Sequence, residues 1–208
     1  MNEMFSLLLI YVFQLFLIVD PIALMPVFLS ITRDNTHKER IRMARISSMV
    51  ASFILLIFAF FGSLILDYFH ISISAIQIGG GMLLFFIGFE MTYGKYPGSK
   101  ITDKEHDIAV QMDDVSIAPL ATPLLAGPGA ITTVLLFSGG AGSPYHYAAL
   151  TFAILIIGVL SYVFLALSDR ITSLIGELGT KVLVRLMGLM LVFISVQYFI
   201  NGLNAVLF

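Results

Sequence analysis

Long apolar stretches separated by short polar segments dominate the hydrophobic pattern of this chain. Each stretch reaches the roughly 20 residues that a helix needs to cross the hydrocarbon core of a bilayer. The pattern therefore predicts an all-α polytopic membrane protein with six transmembrane helices. These stretches are residues 4–31, 43–66, 71–93, 115–138, 147–167 and 182–208.

Composition agrees with a chain whose main solvent is lipid. Of its 208 residues, 59% are hydrophobic and 12% are charged, and the mean hydropathy is +0.99. A soluble domain carries roughly twice that charged fraction. The net charge of −2 argues against a nucleic-acid partner. The chain has no cysteine, which excludes disulfides, thiolate zinc sites and thiol nucleophiles.

The basic residues predict the orientation of the helices. All eleven lie between helices one and two, between three and four, or between five and six. Because positive residues stay on the cytoplasmic side, these three loops are expected inside and both termini outside. The basic residues are Arg33, Lys38, Arg40, Arg42, Arg45, Lys95, Lys100, Lys104, Arg170, Lys181 and Arg185. Arg185 is expected to reach the interface or to pair with Glu177 or Asp169.

Two of the apolar stretches contain a pair of prolines with the same spacing. The first reads DPIALMP at residues 20–26, and the second reads PLLAGPG at residues 123–129. Proline removes an amide donor and clashes with the preceding turn. Helices one and four are therefore predicted to be broken at these Pro-x4-Pro motifs. Non-helical backbone at membrane depth is tolerated only inside protein or along a cavity.

The two motifs also suggest an internal repeat. The prolines of the second motif follow those of the first by 102 positions, and a Gly-Leu-rich segment at residue 81 recurs 107 positions later. Three helices per copy turn the second copy upside down, which is the inverted 3+3 repeat of many secondary transporters. The predicted units are a first repeat at 1–93, a cytoplasmic linker at 94–114 and a second, inverted repeat at 115–208.

At these residues the chain resembles the MarC family of prokaryotic inner-membrane proteins. The resemblance rests on the Asp-Pro-x4-Pro motif, on PLLAGPGAI at residues 123–131 and on RLMGLML at residues 185–191. It implies a multi-pass protein of the inner (plasma) membrane that moves small neutral amino acids such as alanine, glycine or serine, with export as one direction. The family often has a glycine and then a polar residue where this chain has Ala23 and Leu24. That departure implies a larger, less polar lining, which would alter the preferred substrate size or narrow the pocket.

A zwitterionic amino acid requires one feature of the site for each of its charges. Free amides at a half-helix that begins near Gly129 would bind the carboxylate. Carbonyls that lose their donors to proline would hold the ammonium group. The alternative is that glycine and proline only bend the helices for close packing. The predicted substrate-binding residues are Asp20, Pro21, Ala23, Pro26, Thr122, Pro123, Ala126, Gly127, Pro128, Gly129 and Ala130.

Asp20 allows two interpretations. A carboxylate at mid-depth costs roughly 2.5–3.5 kcal/mol on insertion scales, so it would serve as a ligand or as a proton carrier for coupling. It would equally serve as the N-cap of a half-helix that begins at Pro21. Glu90 corresponds to Gln197 in the repeat, and these two residues are candidates for gating or coupling. Coupling to a proton or another cation stays open, as does the oligomeric state.

Motifs for other functions are missing from the sequence. It lacks phosphate-cradling, metalloprotease and nucleophile-elbow motifs, so no catalytic residue, metal site or cofactor is predicted and an enzyme is not expected. The leading hypothesis is a secondary transporter that works by alternating access. The alternatives are an ion or metal permease, which would have more carboxylates at depth, and a non-transporting membrane regulatory protein.

Overall fold

The computed structural model describes residues 2–33, 35–94, 125–139 and 144–207. This part of the chain is helical, and its helices are α1 (Asn2–Val19), α2 (Pro21–Ile31), α3 (His37–Tyr68), α4 (Ile73–Thr92), α5 (Pro128–Gly139), α6 (Pro144–Ala166) and α7 (Ser168–Leu207). Within it, five helical stretches are long and apolar enough to cross a membrane: Met4–Ile31, His37–Tyr68, Ile73–Thr92, Pro144–Ala166 and Leu178–Leu207. The all-α class and the membrane-spanning character are therefore confirmed.

The first span is broken, but at one residue rather than across its proline pair. Helix α1 ends at Val19 and α2 begins at Pro21, and Pro26 lies inside α2 without ending it. The predicted break in helix one is therefore present at the motif, and it lies at Asp20, directly before the first proline. Proline at the first helical position needs no amide partner, so Pro21 starts a helix, whereas Pro26 only removes one bond from a helix that packing retains.

The fourth predicted span is described only from residue 125 onward. Its described helix, α5, begins at Pro128 and is 12 residues long, which is shorter than a bilayer crossing. Thr122, Pro123 and the predicted linker at 94–114, apart from Gly94, lie outside the described residues.

The last span follows a sharp change of direction at Gly176. This residue has φ 73° and ψ 168° inside α7, so the segment before it is a separate short helix. A backbone with this φ favours glycine, because a Cβ would be strained there. The spanning part of α7 is Leu178–Leu207, which begins four residues before the predicted boundary.

The longest helix–helix contact joins α4 to α7 in antiparallel orientation. Cβ atoms added at Gly81 and Gly88 would lie 3.0 Å from the backbone nitrogens of Phe199 and Val192, respectively. Residue numbers therefore rise along α4 as those of the contacting α7 residues fall, so the two helices are antiparallel. Glycines let the two backbones approach this closely, as small residues do in membrane helix pairs.

Two further pairs of helices also run antiparallel. In α1 and α5, the ring of Tyr11 stacks on Phe137 at 4.2 Å between centroids, and Ile18 lies beside Gly129. In α3 and α6, Arg45 lies 6.0 Å from the ring centre of Tyr162, and Ser52 lies beside Gly158. The first and fourth, second and fifth, and third and sixth apolar stretches thus pair in opposite directions.

A buried apolar core surrounds the break in the first span. Leu15, Val19, Leu24 and Phe28 from α1 and α2 are buried among side chains of α3, α5 and α6. Ala23, on the other side of α2, packs in a second cluster with α4 and α7 residues. The broken helix therefore lies inside the bundle, where irregular backbone is shielded from lipid.

Arg40 connects the end of α2 to the start of α7. Its Nε donates to the carbonyl of Thr32 at 2.9 Å, and a terminal nitrogen donates to the carbonyl of Arg33 at 3.0 Å. The guanidinium also pairs with Asp169 at 3.2 Å. Of the three alternatives for Arg185, which were the interface, Glu177 and Asp169, the last is not the one observed, because the described ion pair of Asp169 is with Arg40.

Candidate substrate site at two half-helix ends

Asp20 forms the break between α1 and α2. It adopts left-handed backbone angles, φ 43° and ψ 65°, which Asp tolerates better than most residues. Its Oδ1 accepts a hydrogen bond from the backbone amide of Ala23 at 3.0 Å. Asp20 is therefore the N-cap of the half-helix that starts at Pro21, as one of the two interpretations of the sequence predicted.

The second carboxylate oxygen of Asp20, Oδ2, does not accept the capping hydrogen bond from Ala23. The residue is only 1% exposed, and Oδ2 has no well-formed hydrogen bond with a described group, although the backbone amide of Ile22 also lies close to the carboxylate. A buried polar atom without a partner is costly, so such atoms are rare in folded proteins and call for an explanation. Capping therefore uses only Oδ1 of the carboxylate. Oδ2 remains a buried hydrogen-bond acceptor.

A second half-helix begins at Pro128. Leu125 and Ala126, just before it, are buried, whereas Gly127 is half-exposed and Pro128 is exposed. The carbonyl of Gly127 accepts the amide of Ile131 at 3.0 Å, which is the first turn of α5. This start agrees with the predicted half-helix near Gly129. Its first amides have no acceptor within the helix.

The starts of the two half-helices lie at the same level in the bundle. A Cβ added at Gly129 would lie 3.4 Å from Cγ2 of Ile18, two residues before the break in the first span. Val19 and Leu125 also line one small cavity of about 10 Å³. From this level, α2 runs on in the same direction as α1. Helix α5 runs alongside α1 in the opposite direction. Two positive helix ends therefore lie at this level, that of α2 buried at Pro21 and that of α5 partly exposed at Gly127 and Pro128.

Small side chains keep this region tightly packed. Ala126 and Ala130 are 2% and 3% exposed, and Ala23 is fully buried. At Gly129, an added Cβ would be 3.0 Å from Leu84 and 3.2 Å from Ile87, both on α4. Any ligand that reaches the two helix ends from inside the bundle must therefore be small.

The remaining predicted site residues are spread more widely. Pro21 is buried at the break, while Pro26 is half-buried one turn further along α2. Glu90 is half-buried on α4. Gln197 is exposed on α7, where its amide nitrogen donates to Asn201 at 2.8 Å. Neither Glu90 nor Gln197 forms a hydrogen bond with Oδ2 of Asp20, which has no such partner among the described residues.

Sequence reasoning missed two buried serines. The hydroxyl oxygens of Ser48 on α3 and Ser161 on α6 are buried without a hydrogen-bond partner in the described structure, and both line the cavity beside Val19 and Leu125. The sequence pattern did not indicate a role for them, because the hydroxyl of a single serine in an apolar span usually donates to a backbone carbonyl of its own helix. Ser52 illustrates that ordinary case by donating to the carbonyl of Ser48 at 2.8 Å.

Comparison with known protein families gives a match over nearly the whole chain. The family model described as "MarC family integral membrane protein" matches residues 5–207. The chain belongs to the MarC family. It is a multi-pass protein of the inner (plasma) membrane, with apolar helices long enough to span it.

The curated relatives of this MarC family protein are membrane proteins of the UPF0056 group. One from Methanocaldococcus jannaschii is 38% identical over 194 residues, which cover 93% of this chain and 94% of the relative. One from Bacillus subtilis is 35% identical over 202 residues, which cover 97% and 96%. One from Aquifex aeolicus is 34% identical over 206 residues, which cover 99% and 96%. No solved structure matches the chain.

Among the described residues of this MarC family protein, no group of three His, Cys, Asp or Glu side chains is placed to hold a metal ion. The site offers positive dipole ends at two helix starts, the first amides of α5, and one carboxylate oxygen of Asp20.

Proposed function

We propose that this MarC family protein is a secondary transporter of small neutral amino acids across the inner membrane. The unpartnered Oδ2 of Asp20, buried at the break between two half-helices, carries the proposal. It would accept hydrogen bonds from the ammonium group of the substrate. The free amides at the start of α5 would hold the carboxylate, since anions bind at helix N-termini.

The size of the site favours alanine, glycine and serine. Ala23, Ala126, Ala130 and Gly129 leave little space around the two helix ends, and Leu84 and Ile87 close the site from α4. A larger side chain would have to displace these neighbours, and overpacking a tight interior typically costs about 1–3 kcal/mol. The site thus selects by exclusion as well as by contact.

Alternating access would follow from an inverted 3+3 repeat. The proposal of such a repeat is supported by the antiparallel pairing of corresponding helices, α1 with α5, α3 with α6 and α4 with α7. In repeats of this kind the substrate lies near the bilayer midplane, where broken helices meet, and one repeat rocks against the other. In this proposal, the break at Asp20 and the start of α5 would occupy that position.

Counterflow of radiolabelled alanine and glycine in proteoliposomes tests this function. Native protein loaded with unlabelled substrate is expected to accumulate the label. Gly127→Leu is expected to abolish accumulation, because it places a large side chain at the half-exposed start of α5. Gly79→Leu is the matched control, since a Cβ at Gly79 meets nothing within 4 Å.

Two outcomes would reject the proposal. One is that folded native protein shows no counterflow of any small neutral amino acid. The other is that Gly127→Leu and Gly79→Leu transport equally well, which would place the substrate path away from the helix ends. Asp20→Asn then separates the roles of the carboxylate, because exchange requires substrate binding but not proton coupling.

A further inference from the structure

A groove on the outer surface between α3 and α6 is not part of the half-helix site. Its volume is about 370 Å³, within the range of small-molecule sites. Met49, Phe53 and Val159 form its rim and are largely exposed, whereas Ser48 and Gly158 lie at its base. The groove therefore opens sideways, toward lipid.

The groove exists because its base is built from small residues. Gly158 packs directly on the hydroxyl group of Ser52, so a Cβ at position 158 would collide with it. Ser52 itself points back to the carbonyl of Ser48. Larger residues on the rim then stand above a shallow base, which leaves an elongated channel along α3.

The length of the groove matches one leaflet of a bilayer. It extends along α3 from Arg45 to Leu56, which at 1.5 Å per residue is about 16 Å. Half of a hydrocarbon core about 30 Å thick is about 15 Å. An acyl chain of one leaflet therefore fits along it from end to end.

One end of the groove is basic. Arg45 lies over the ring of Tyr162, and Lys38 and Arg42 precede it on the same exposed face of α3, at helical spacing. None of these three forms an ion pair with a described carboxylate, in contrast to Arg40, which pairs with Asp169. Within the described residues, the cations at the mouth of the groove therefore have no carboxylate partner.

One hydroxyl group at the base of the groove, that of Ser48, also has no hydrogen-bond partner among the described residues. The hydroxyl oxygen of Ser48 is buried without a partner in the part of the chain that the structure describes, and Ser48 lines both the groove and the inner cavity beside Val19.

We propose that this groove is a specific site for an anionic phospholipid of the membrane. One acyl chain lies between α3 and α6, and the phosphate lies against Arg45 and Arg42. Basic pockets between membrane helices are known to bind anionic head groups in this manner. The site stands on charge complementarity and groove length, and it does not depend on the transport function.

Tryptophan fluorescence tests the site directly, because the chain has no native tryptophan. Phe53→Trp places one reporter on the groove rim, and Phe86→Trp places a matched reporter on a lipid-facing surface of α4. Phe53 and Phe86 are both 65% exposed, so the two reporters start with equal access to lipid. Phosphatidylglycerol with brominated acyl chains quenches a reporter that it contacts, in a background of phosphatidylcholine.

The groove reporter is expected to be quenched at a lower fraction of brominated phosphatidylglycerol than the α4 reporter. Brominated phosphatidylcholine, which has the same chains without the net charge, should quench both equally. Arg45→Gln in the Phe53→Trp protein should weaken the preference about fivefold, as expected for one basic side chain at a membrane surface. Arg170→Gln, a basic residue outside the groove, should leave it unchanged.

Several results would overturn the proposal. Equal quenching of the two reporters by brominated phosphatidylglycerol would show that the groove has no preference for the anionic lipid. A preference that survives Arg45→Gln together with Arg42→Gln would remove the charge argument. A groove reporter that no brominated lipid quenches would mean that protein fills the groove, either residues 95–124 of this chain or a second copy.

Discussion

The backbone carbonyl of Gly188 lies 2.8 Å from the position that a Cβ at Gly88 would take. These two glycines are the point where α4 and α7, the third and sixth apolar stretches, come closest. A Cβ at Gly188 would likewise lie 2.8 Å from the carbonyl of Gly88 and 2.6 Å from Cβ of Met91. The partners at this crossing are mainly backbone atoms, which cannot rotate away.

Alanine at this crossing should therefore destabilise the protein. Gly88→Ala and Gly188→Ala are each expected to lower the free energy of unfolding by about 1–3 kcal/mol, the usual cost of overpacking. Gly79→Ala, on the open side of α4, should instead gain roughly 0.5–1 kcal/mol, because alanine favours a helix. Denaturation in detergent micelles measures all three. Gly88→Ala as stable as Gly79→Ala would contradict the close crossing.

Arg40 and Asp169 should contribute unequally to stability. Their side chains are 20% and 54% exposed, so the ion pair alone is worth about 0–1 kcal/mol and Asp169→Asn should cost no more than that. Arg40→Gln also removes the charged donor of the Thr32 and Arg33 carbonyls, which should cost about 1.5–3 kcal/mol. A double-mutant cycle measures the pair, and equal losses for the two single variants would refute this division.

Three substitutions of Asp20 should separate its cap from its charge. Asp20→Asn keeps an acceptor for the amide of Ala23 and tolerates the left-handed backbone, so its unfolding free energy should stay near the native value. Asp20→Ala loses the cap and adds backbone strain, for a cost of about 2–3 kcal/mol. Asp20→Gly should fall between them, because glycine relieves the strain but does not cap.

The same variants test the role of Oδ2 in binding. If that oxygen holds the ammonium group of the substrate, Asp20→Asn should weaken alanine binding strongly while the protein stays as stable as the native form. Isothermal titration in detergent measures the affinity. Unchanged affinity in Asp20→Asn would assign the residue to capping alone, and would leave the ammonium group to backbone carbonyls.

Labelling of single cysteines tests the proposed orientation, and the chain offers a clean background because it has no native cysteine. A membrane-impermeant maleimide should label Tyr145→Cys and Asn204→Cys in intact cells, since the start of α6 and the C-terminus are expected outside. Lys38→Cys should be labelled only after lysis. The reverse pattern would invert the topology, and with it the leaflet that supplies lipid to the groove.

Much of the site could be foreseen from local chemistry. The Asp-Pro pair at residues 20 and 21 predicts a helix start from the local sequence alone. An aspartate cap and a proline at the first helical position interact only with backbone groups next to them in the chain. The start of α5 at Pro128 follows in the same way. Both were predicted within a residue or two, whereas the effect of Pro26 was overestimated, because the proline rule ignores the packing around α2.

The sequence by itself determined the apolar stretches, the all-α membrane class and the family. Bilayer thickness sets a minimum length for a spanning helix, and each stretch can be compared with that length on its own. Only the tertiary structure decided that Gly88 faces Gly188, that Asp169 pairs with Arg40 and that Ser48 lies at the base of a groove. Those contacts join residues far apart in the chain. Their free energies depend on how the helices pack, which no local pattern of residues contains.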